Sequence, residues 1–183
     1  KFLHAGPGFG GSCFPKDVKA FSITGKENKV PLTIIESVNK SNQKRPRIFA
    51  NKIYNYFGKN IKNLKFSLLG LSFKPNTDDI RDSTSIIIGN FLIKKGAKII
   101  AYDPQAIKNT KKQFPKFNFA NNPYDACLNV DAIIVGTEWN EFRALDIKKL
   151  KKITKNPILF DLRNIYQPNE MKIAGWEYIS VGR

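Results

Sequence analysis

The pattern of apolar and polar positions divides this chain of 183 residues into two parts. In the first third, apolar residues recur at helical spacing. This predicts a helix over 13–24, a turn over 25–29 and a second helix from Pro31 to a stop at Gly58. Pro46 lies inside the second helix, so we expect it either to kink that helix or to divide it. Beyond this part, short apolar runs alternate with amphipathic stretches, which is typical of strands separated by helices.

The apolar runs of the second part lack polar alternation, and this predicts strands buried on both faces of a parallel sheet. The predicted strands cover 65–71, 98–102, 131–136, 157–161 and 176–181, and the predicted helices cover 83–95, 106–114 and 146–152. The fold class is therefore predicted to be α/β, a doubly wound parallel sheet preceded by a long connector helix. Ligands bind such sheets beyond the carboxyl ends of the strands, which here lead into the loops 72–82, 103–105, 137–142 and 163–166.

The net charge of +16 raises the question of a polyanionic partner. The lysines are spread over predicted helices and turns, which favours a solvated surface over nucleic-acid binding. No apolar run reaches about 18 residues, so we expect no membrane span. Two distant cysteines and one histidine predict neither a disulfide framework nor a metal site, and they favour a cytoplasmic location.

The segment Gly8-Phe9-Gly10-Gly11-Ser12-Cys13-Phe14-Pro15-Lys16-Asp17 places a cysteine between a glycine loop and the start of a predicted helix. Pro15 suits the first helical turn, where its missing N–H would have no intrahelical partner. The positive end of the helix and Lys16 both favour a thiolate, and the glycines allow the backbone to approach a ligand. Cys13 is therefore a candidate nucleophile, with an inert buried thiol as the alternative. Cys127 carries no motif and is interpreted as filler.

Four segments resemble motifs of the UDP-glucose/GDP-mannose dehydrogenase family, and in particular of its members that oxidise UDP-glucose. They are the cysteine segment 8–17, the block 69–83, the tripeptide 137–139 and the stretch 161–164. The resemblance implies a two-step, NAD-dependent oxidation of UDP-glucose to UDP-glucuronate, in which Cys13 forms a thiohemiacetal and then a thioester. It also implies that Asp17 handles protons or orients the hydrolytic water, although Asp17 alone fits a first-turn charge equally well.

The resemblance also implies binding residues. Those for UDP-glucose or UDP-glucuronate are Phe2, Leu3, His4, Ala5, Gly6, Pro7, Gly8, Phe9, Gly10, Phe14, Phe73, Lys74 and Arg163. Those for NAD are Cys13, Phe14, Pro15, Lys16 and Arg81. Without the resemblance, Phe73 fits a core position, Lys74 a solvated charge and Arg163 a partner of Asp161. Arg81 likewise fits a surface ion-pair cluster with Asp79 and Asp82.

By the same resemblance the chain divides into three regions. They are a catalytic cysteine loop and helix over 1–29, a central connector and dimerisation helix over 30–58, and a C-terminal Rossmann-like UDP-sugar-binding domain over 59–183. A homodimer through the central helix is expected. Because Gly8-Phe9-Gly10-Gly11 follows no strand, it is not the fingerprint of the family's N-terminal NAD-binding domain, and we expect that domain to be absent.

We therefore expect the sequence to be part of a larger protein and to be inactive alone. Two alternatives stay open: a relative that acts on GDP-mannose or a UDP-amino sugar, and a non-catalytic module that binds nucleotide sugars. A comparison of the binding of UDP-glucose and of GDP-mannose distinguishes the first alternative from a UDP-glucose dehydrogenase. A coding region for a Rossmann domain upstream of this sequence would exclude the second.

Overall fold

The computed structural model describes residues 4–182, which begin with two long helices. These are α1 (Cys13–Glu27) and α2 (Thr33–Tyr56). The elements that follow are β1 (Lys65–Leu69), α3 (Thr84–Lys94), β2 (Lys98–Tyr102), α4 (Ile107–Gln113), β3 (Asn118–Phe119), α5 (Pro123–Ala126), β4 (Ala132–Val135), α6 (Asn140–Arg143), α7 (Ile147–Ile153), β5 (Ile158–Asp161), α8 (Pro168–Ile173) and β6 (Glu177–Ser180). Strands and helices alternate, which confirms the predicted α/β class.

The strands of the described residues form one parallel sheet in the order β3-β2-β1-β4-β5-β6. In the centre, Phe66 of β1 pairs with Ile99 of β2 on one side and with Ala132 of β4 on the other. The chain therefore builds from β1 to one edge, returns to the centre and builds to the other edge. This is the doubly wound, Rossmann-like arrangement, in which the strand order reverses between β1 and β4.

Both faces of the sheet are buried. Successive residues of a strand point to opposite faces, and side chains on both faces lie in the core. Phe66 and Leu68 of β1 join the core layer that contains α2 and α3, whereas Leu69 joins the layer on the other face. The strands therefore carry continuous apolar runs instead of an alternating pattern. Ile53 of α2 is fully buried in the first layer, so the C-terminal half of α2 shares the core of the sheet.

The first helix is longer than the sequence predicts, and the expected turn at Gly25 is wrong. Gly25 lies inside α1 and is buried because Leu32 closes against it: a Cβ at this position would lie 2.7 Å from Leu32 Cδ1. The glycine therefore permits a close approach between α1 and the chain that leads into α2. Small size, and not turn geometry, explains its presence.

Helix α2 continues through Pro46, so the option of two separate helices is wrong. Pro46 is itself buried, and so are Phe49, Ala50 and Ile53 in the turns of the helix that follow it. Burial of this face offsets the hydrogen bond that a proline removes from a helix. Gly58 follows the helix with φ +63°, as the predicted stop requires.

The strand predicted over 65–71 ends at Leu69, two residues early. Gly70 adopts φ +96°, and the next two amides, of Leu71 and Ser72, donate to Asp103 instead of to a neighbouring strand. The short elements β3, α6 and α8 have no counterpart in the prediction, because runs of two to six residues are too brief to show a period. Across residues 4–182 no helix has both the length and the apolar content of a membrane span.

Candidate functional site

The residues before Cys13 form a segment without regular secondary structure, called here the glycine loop (residues 4–12). The Gly11 N–H donates to the Arg81 carbonyl over 2.8 Å. Gly10 packs so tightly on the Asp82 carbonyl that a Cβ would overlap it, and a Cβ on Gly11 (φ +89°) would lie 2.7 Å from the Phe73 ring. The two glycines therefore allow the loop to lie directly on the 72–82 loop.

Cys13 is the first residue of α1 and is exposed. Its Sγ lies 3.6 Å from Ser12 Oγ. Arg81 stands nearby on the 72–82 loop, where its Nη2 lies 2.7 Å from Asp79 Oδ2. The pKa of Arg81 is raised above its usual range, mainly by Asp79 and to a smaller degree by the charge of Cys13. Cys13 is thus not buried, contrary to the alternative interpretation, and its role as a nucleophile stays a prediction.

A cleft of about 920 Å³ opens beside Cys13, between the start of α1, the middle of α2 and the start of α3. Its lining includes Cys13, Pro15, Lys16, Lys19, Arg81 and Thr84. A thiol and three cationic side chains therefore share one concave surface. Of the residues expected to contact NAD, the structure places Cys13, Pro15, Lys16 and Arg81 here.

The donor groups of the cleft fit a ligand that carries phosphate. The Thr84 side chain is buried at the N-terminus of α3, and its Oγ1 has no hydrogen-bond partner among the described residues. Ser83 and Ser85, on either side of it in sequence, also have hydroxyls without a partner among the described residues, but they do not line the cleft, and Ser85 Oγ faces Gly136. A helix N-terminus with nearby Lys and Arg stabilises an anion such as the pyrophosphate of NAD.

The strand-order reversal of this sheet is built differently from a dinucleotide site. There, an acidic residue after the second strand normally serves the ribose of the ligand. Here the buried Asp103 after β2 accepts six hydrogen bonds from the described part of the chain. Its donors are the amides of Leu71, Ser72, Gln105 and Ala106, the Ser72 hydroxyl and the Trp139 indole. Asp103 therefore fixes the protein's own loop instead of a ribose.

Arg163 lies at the carboxyl end of β5 and holds two loops. Its Nε donates to the Gly136 carbonyl (2.8 Å) and its Nη2 to the Phe73 carbonyl (3.3 Å). Burial lowers the pKa of the guanidinium, and Glu138, whose Oε2 lies 3.4 Å from Nε, opposes that shift. Asp161 accepts from the Arg163 backbone amide, so the charge partner of Arg163 is Glu138 and not Asp161.

The Arg163 guanidinium also approaches the glycine loop. Its Nη1 lies 3.5 Å from the position that a Cβ on Gly6 would take. Lys74 is exposed, with its Nζ 5.4 Å from the centroid of the half-buried Phe73 ring. Of the residues expected to bind the sugar nucleotide, Phe73 and Arg163 thus lie against the loop that leads to Cys13, and Lys74 lies beside Phe73.

The remaining expected residues of the loop differ in exposure. His4 and Ala5 are exposed, Pro7 is buried, and the Phe9 ring meets the Phe14 ring edge-to-face with centroids 4.5 Å apart. Phe2 and Leu3 lie outside the described residues. Their expected role in substrate binding therefore stays a prediction.

Asp17 stands one helical turn after Cys13 but is exposed, and it does not line the cleft. Its Oδ1 lies 3.8 Å from Lys16 Nζ, a surface ion pair of little energetic weight. The proton-handling role implied by the resemblance thus stays a prediction.

Cys127 contrasts with Cys13 in every respect. It is fully buried after α5, and its Sγ lies 3.3 Å from Ser67 Oγ. Burial raises the pKa of this thiol to about 12. Cys127, interpreted from the sequence as core or surface filler, thus lies in the core, where a neutral buried thiol is a poor nucleophile. Among residues 4–182, no three His, Cys, Asp or Glu side chains are grouped to hold a metal ion.

Two residues of the site carry no sequence signal. Asn42 and Arg45 of α2 hydrogen-bond the backbone of the glycine loop, at sequence separations of 33 and 39 residues. In the sequence they are ordinary polar positions of an amphipathic helix. Contacts between a side chain and a distant backbone leave no periodicity from which they might be predicted.

Two family models match this chain. The UDP binding domain of the UDP-glucose/GDP-mannose dehydrogenase family matches residues 67–168, and the central domain of the same family matches residues 1–44. Over its whole length the chain is 45% identical to a UDP-glucose 6-dehydrogenase of Rhizobium meliloti, and over 99% of its length it is 42% identical to one of Rickettsia bellii. In both cases it spans 42% of the relative's length.

Solved structures give the same picture. A UDP-glucose dehydrogenase from Pyrobaculum islandicum superposes with a TM-score of 0.83 at 28% identity, covering 99% of this chain and 39% of the other. An NDP-N-acetyl-D-galactosaminuronic acid dehydrogenase from Methanosarcina mazei superposes with a TM-score of 0.82 at 26% identity, covering 97% of this chain and 39% of the other.

Proposed function

Since the chain belongs to the UDP-glucose/GDP-mannose dehydrogenase family, we propose that it forms the C-terminal part of an NAD-dependent UDP-glucose 6-dehydrogenase. The observation that carries this proposal is the position of the exposed Cys13 in a cleft lined by Lys16 and Arg81. Because the chain spans 42% of its relatives, the activity is proposed for the whole product of the reading frame that contains it, called here the complete enzyme.

Cys13 is the nucleophile of the proposed reaction. Its thiolate adds to the C6 aldehyde carbon of the substrate; a C–S bond forms and the carbonyl oxygen takes a proton, which gives a thiohemiacetal. Bound NAD would supply the hydride acceptor for both oxidations. The C6 alcohol and the thiohemiacetal would each lose a hydride and a proton, which gives the aldehyde and then the thioester. Water adds to the thioester carbon and the C–S bond breaks. The acid and the thiol release their two protons to solvent, which leaves a carboxylate and the Cys13 thiolate. Asp17 is assigned a proton transfer or the orientation of the water in this hydrolysis.

The sugar nucleotide is proposed to lie along the glycine loop. Phe73 supplies an aromatic wall for the base, and the exposed Lys74 beside it meets a phosphate charge. Arg163 has a double task, since it fixes the Phe73 backbone and directs Nη1 towards Gly6. The loop residues from Phe2 to Gly10, together with Phe14, complete the proposed contacts.

The NAD contacts are proposed at the cleft. Lys16 and Arg81 would hold the pyrophosphate, and Cys13, Phe14 and Pro15 would lie beside the nicotinamide half. These residues would hold and orient the cofactor. Binding of the adenosine half of NAD is assigned to parts of the complete enzyme outside this chain. The 183 residues by themselves are expected to form no NADH from UDP-glucose.

Calorimetric titration of UDP-glucose tests the binding half of the proposal. In the complete enzyme, Lys74→Ala is expected to raise the Kd about tenfold, since it removes a charge-assisted contact to phosphate. Lys116→Ala is the matched control: it removes an equally exposed lysine near β3 and is expected to change the Kd less than about twofold. Arg163→Ala is expected to weaken binding at least as much as Lys74→Ala. Equal effects of Lys74→Ala and Lys116→Ala would contradict the assigned site, because only the net charge would then matter.

We include a homodimer through α2 in the proposal. Ile34, Val38 and Ile48 of this helix are exposed, with 76%, 38% and 59% of their surface accessible, and such a row is suited to a partner helix. Sedimentation velocity of the chain and of an Ile34→Glu variant decides this, since a dimer through α2 would dissociate in the variant.

A relative acting on another sugar is the second candidate. The likeness to the Methanosarcina enzyme, whose name specifies an N-acetyl-galactosaminuronic acid, is nearly as close as that to the Pyrobaculum enzyme. Titration with UDP-N-acetylgalactosamine beside UDP-glucose separates the two, because only the sugar differs.

A further inference from the structure

Two side chains on one face of α2 hold the glycine loop by its backbone. Asn42 Oδ1 accepts the Phe9 N–H over 2.8 Å, and Asn42 Nδ2 donates to the Phe9 carbonyl over 2.9 Å. Both polar backbone groups of one loop residue are therefore satisfied by one amide side chain, as a strand neighbour would satisfy them.

Arg45, one turn further along α2, holds the same loop at a second point. Its Nε and Nη2 donate to the Gly6 carbonyl over 3.1 and 2.7 Å. The guanidinium lies over the ring of the buried Phe49, with 5.4 Å to the centroid. The ring restricts the orientations that the arginine adopts, so that less conformational entropy is lost when it forms the two hydrogen bonds.

The loop sequence is adapted to this attachment. Gly8 has φ +126°, and a Cβ at this position would lie 2.8 Å from Asn42 Oδ1. A larger residue would therefore displace the amide from Phe9. On its other side the loop is fixed by the hydrogen bond from Gly11 to the Arg81 carbonyl and by the contact of Gly11 with Phe73.

We infer that Asn42 and Arg45 are positioning residues, which set the place of the Cys13 thiol through the glycine loop. Cys13 follows Phe9 by four residues, and the loop has no secondary structure of its own to keep that distance. Neither side chain is assigned a contact with the reacting atoms. The inference deepens the proposed function and rests on it for its catalytic consequence, whereas the attachment itself is independent of any activity.

The attachment is measured by hydrogen exchange. In the structure the Phe9 amide donates to Asn42 Oδ1, so Asn42→Ala is expected to speed its exchange at least about tenfold. Asn51→Ala is the matched control, because it removes an exposed amide from the same helix and is expected to leave the Phe9 amide unchanged. Unchanged exchange of this amide in Asn42→Ala would overturn the inference.

The catalytic consequence is measured in the complete enzyme. A nucleophile displaced by about 1 Å can cost a factor of about 10² in rate, so Asn42→Ala is expected to lower kcat by roughly that factor, and Asn51→Ala by less than about twofold. Arg45→Ala is expected to lower kcat about tenfold, and Arg45→Lys, which keeps one donor for Gly6, to recover most of the loss. A folded Asn42→Ala variant with faster exchange but full kcat would overturn the positioning role.

The two levels of the proposal fail separately. If the unsubstituted complete enzyme does not oxidise UDP-glucose, the proposed function is wrong. Two measurements still test whether Asn42 positions Cys13: the exchange of the Phe9 amide, and the rate at which iodoacetamide alkylates Cys13. A rate that differs at least about threefold between Asn42→Ala and Asn51→Ala supports it, and equal rates overturn it.

Discussion

Replacement of Cys13 by serine or alanine in the complete enzyme is expected to lower kcat for UDP-glucuronate formation by at least about 10³-fold. The reason is chemical: without the thiolate, no thiohemiacetal or thioester forms, and the aldehyde is not carried to the acid. The side chain is exposed at the start of α1, so the free energy of unfolding should change by less than about 0.5 kcal/mol. The measurement is product formation together with chemical denaturation of the same samples.

Cys127→Ser is the matched control, and the opposite result is expected. This thiol is fully buried beside Ser67, and a hydroxyl in its place should cost about 1–2 kcal/mol of unfolding free energy while the folded fraction keeps its kcat. Iodoacetamide at pH 8 should modify Cys13 and spare Cys127, whose pKa burial raises to about 12. A Cys13→Ser enzyme with near-normal kcat would contradict the covalent mechanism.

The largest effect on stability is expected from Asp103→Asn, with a loss of about 3–5 kcal/mol in the free energy of unfolding. The carboxylate of Asp103 is buried, and four donors converge on its Oδ2: the amides of Leu71 and Ser72, the Ser72 hydroxyl and the Trp139 indole. An asparagine that keeps the two bonds to Oδ1 turns an NH₂ group towards these donors. The amides of Leu71 and Ser72 would then be buried without an acceptor, whereas the Trp139 indole keeps Ser72 Oγ as its second acceptor.

Urea denaturation of the 183-residue chain measures this loss. Glu27→Gln, at the exposed end of α1, makes the same carboxylate-to-amide change and should alter the unfolding free energy by less than about 0.5 kcal/mol. Near-equal stabilities of the two variants would show that Asp103 does not organise the loop after β1.

The strands were predictable from sequence because the sheet is covered on both faces. Phe66 and Leu68 meet α2 and α3, while Leu69 meets the opposite layer, so every position of β1 after its first residue is buried and Ser67 is its one polar side chain. The glycine loop was predictable for a different reason: positions such as Gly11, with φ +89° and an aromatic ring in contact, exclude other residues.

The parts that escaped prediction depend on tertiary contacts. Gly25 is a residue type typical of turns, but here it allows Leu32 to approach α1 closely. Pro46 is tolerated inside α2 because the residues around it are buried. Asn42 and Arg45, which support the glycine loop, contact its backbone atoms at sequence separations of 33 and 39 residues. No side-chain pattern in the sequence indicates such contacts. Asp17 lies one turn after Cys13 in α1, as its spacing predicts, and both side chains are exposed.

We propose that this chain carries the nucleophile of a dehydrogenase that takes an alcohol to an acid. The most direct test is the ratio of NADH formed to UDP-glucose consumed by the complete enzyme, with the product identified by mass spectrometry. We expect two NADH for each UDP-glucose, and UDP-glucuronate as the product, because the conversion of an alcohol to a carboxylate removes two hydrides. One NADH with an aldehyde product, or tight binding of UDP-glucose without NADH, would contradict it.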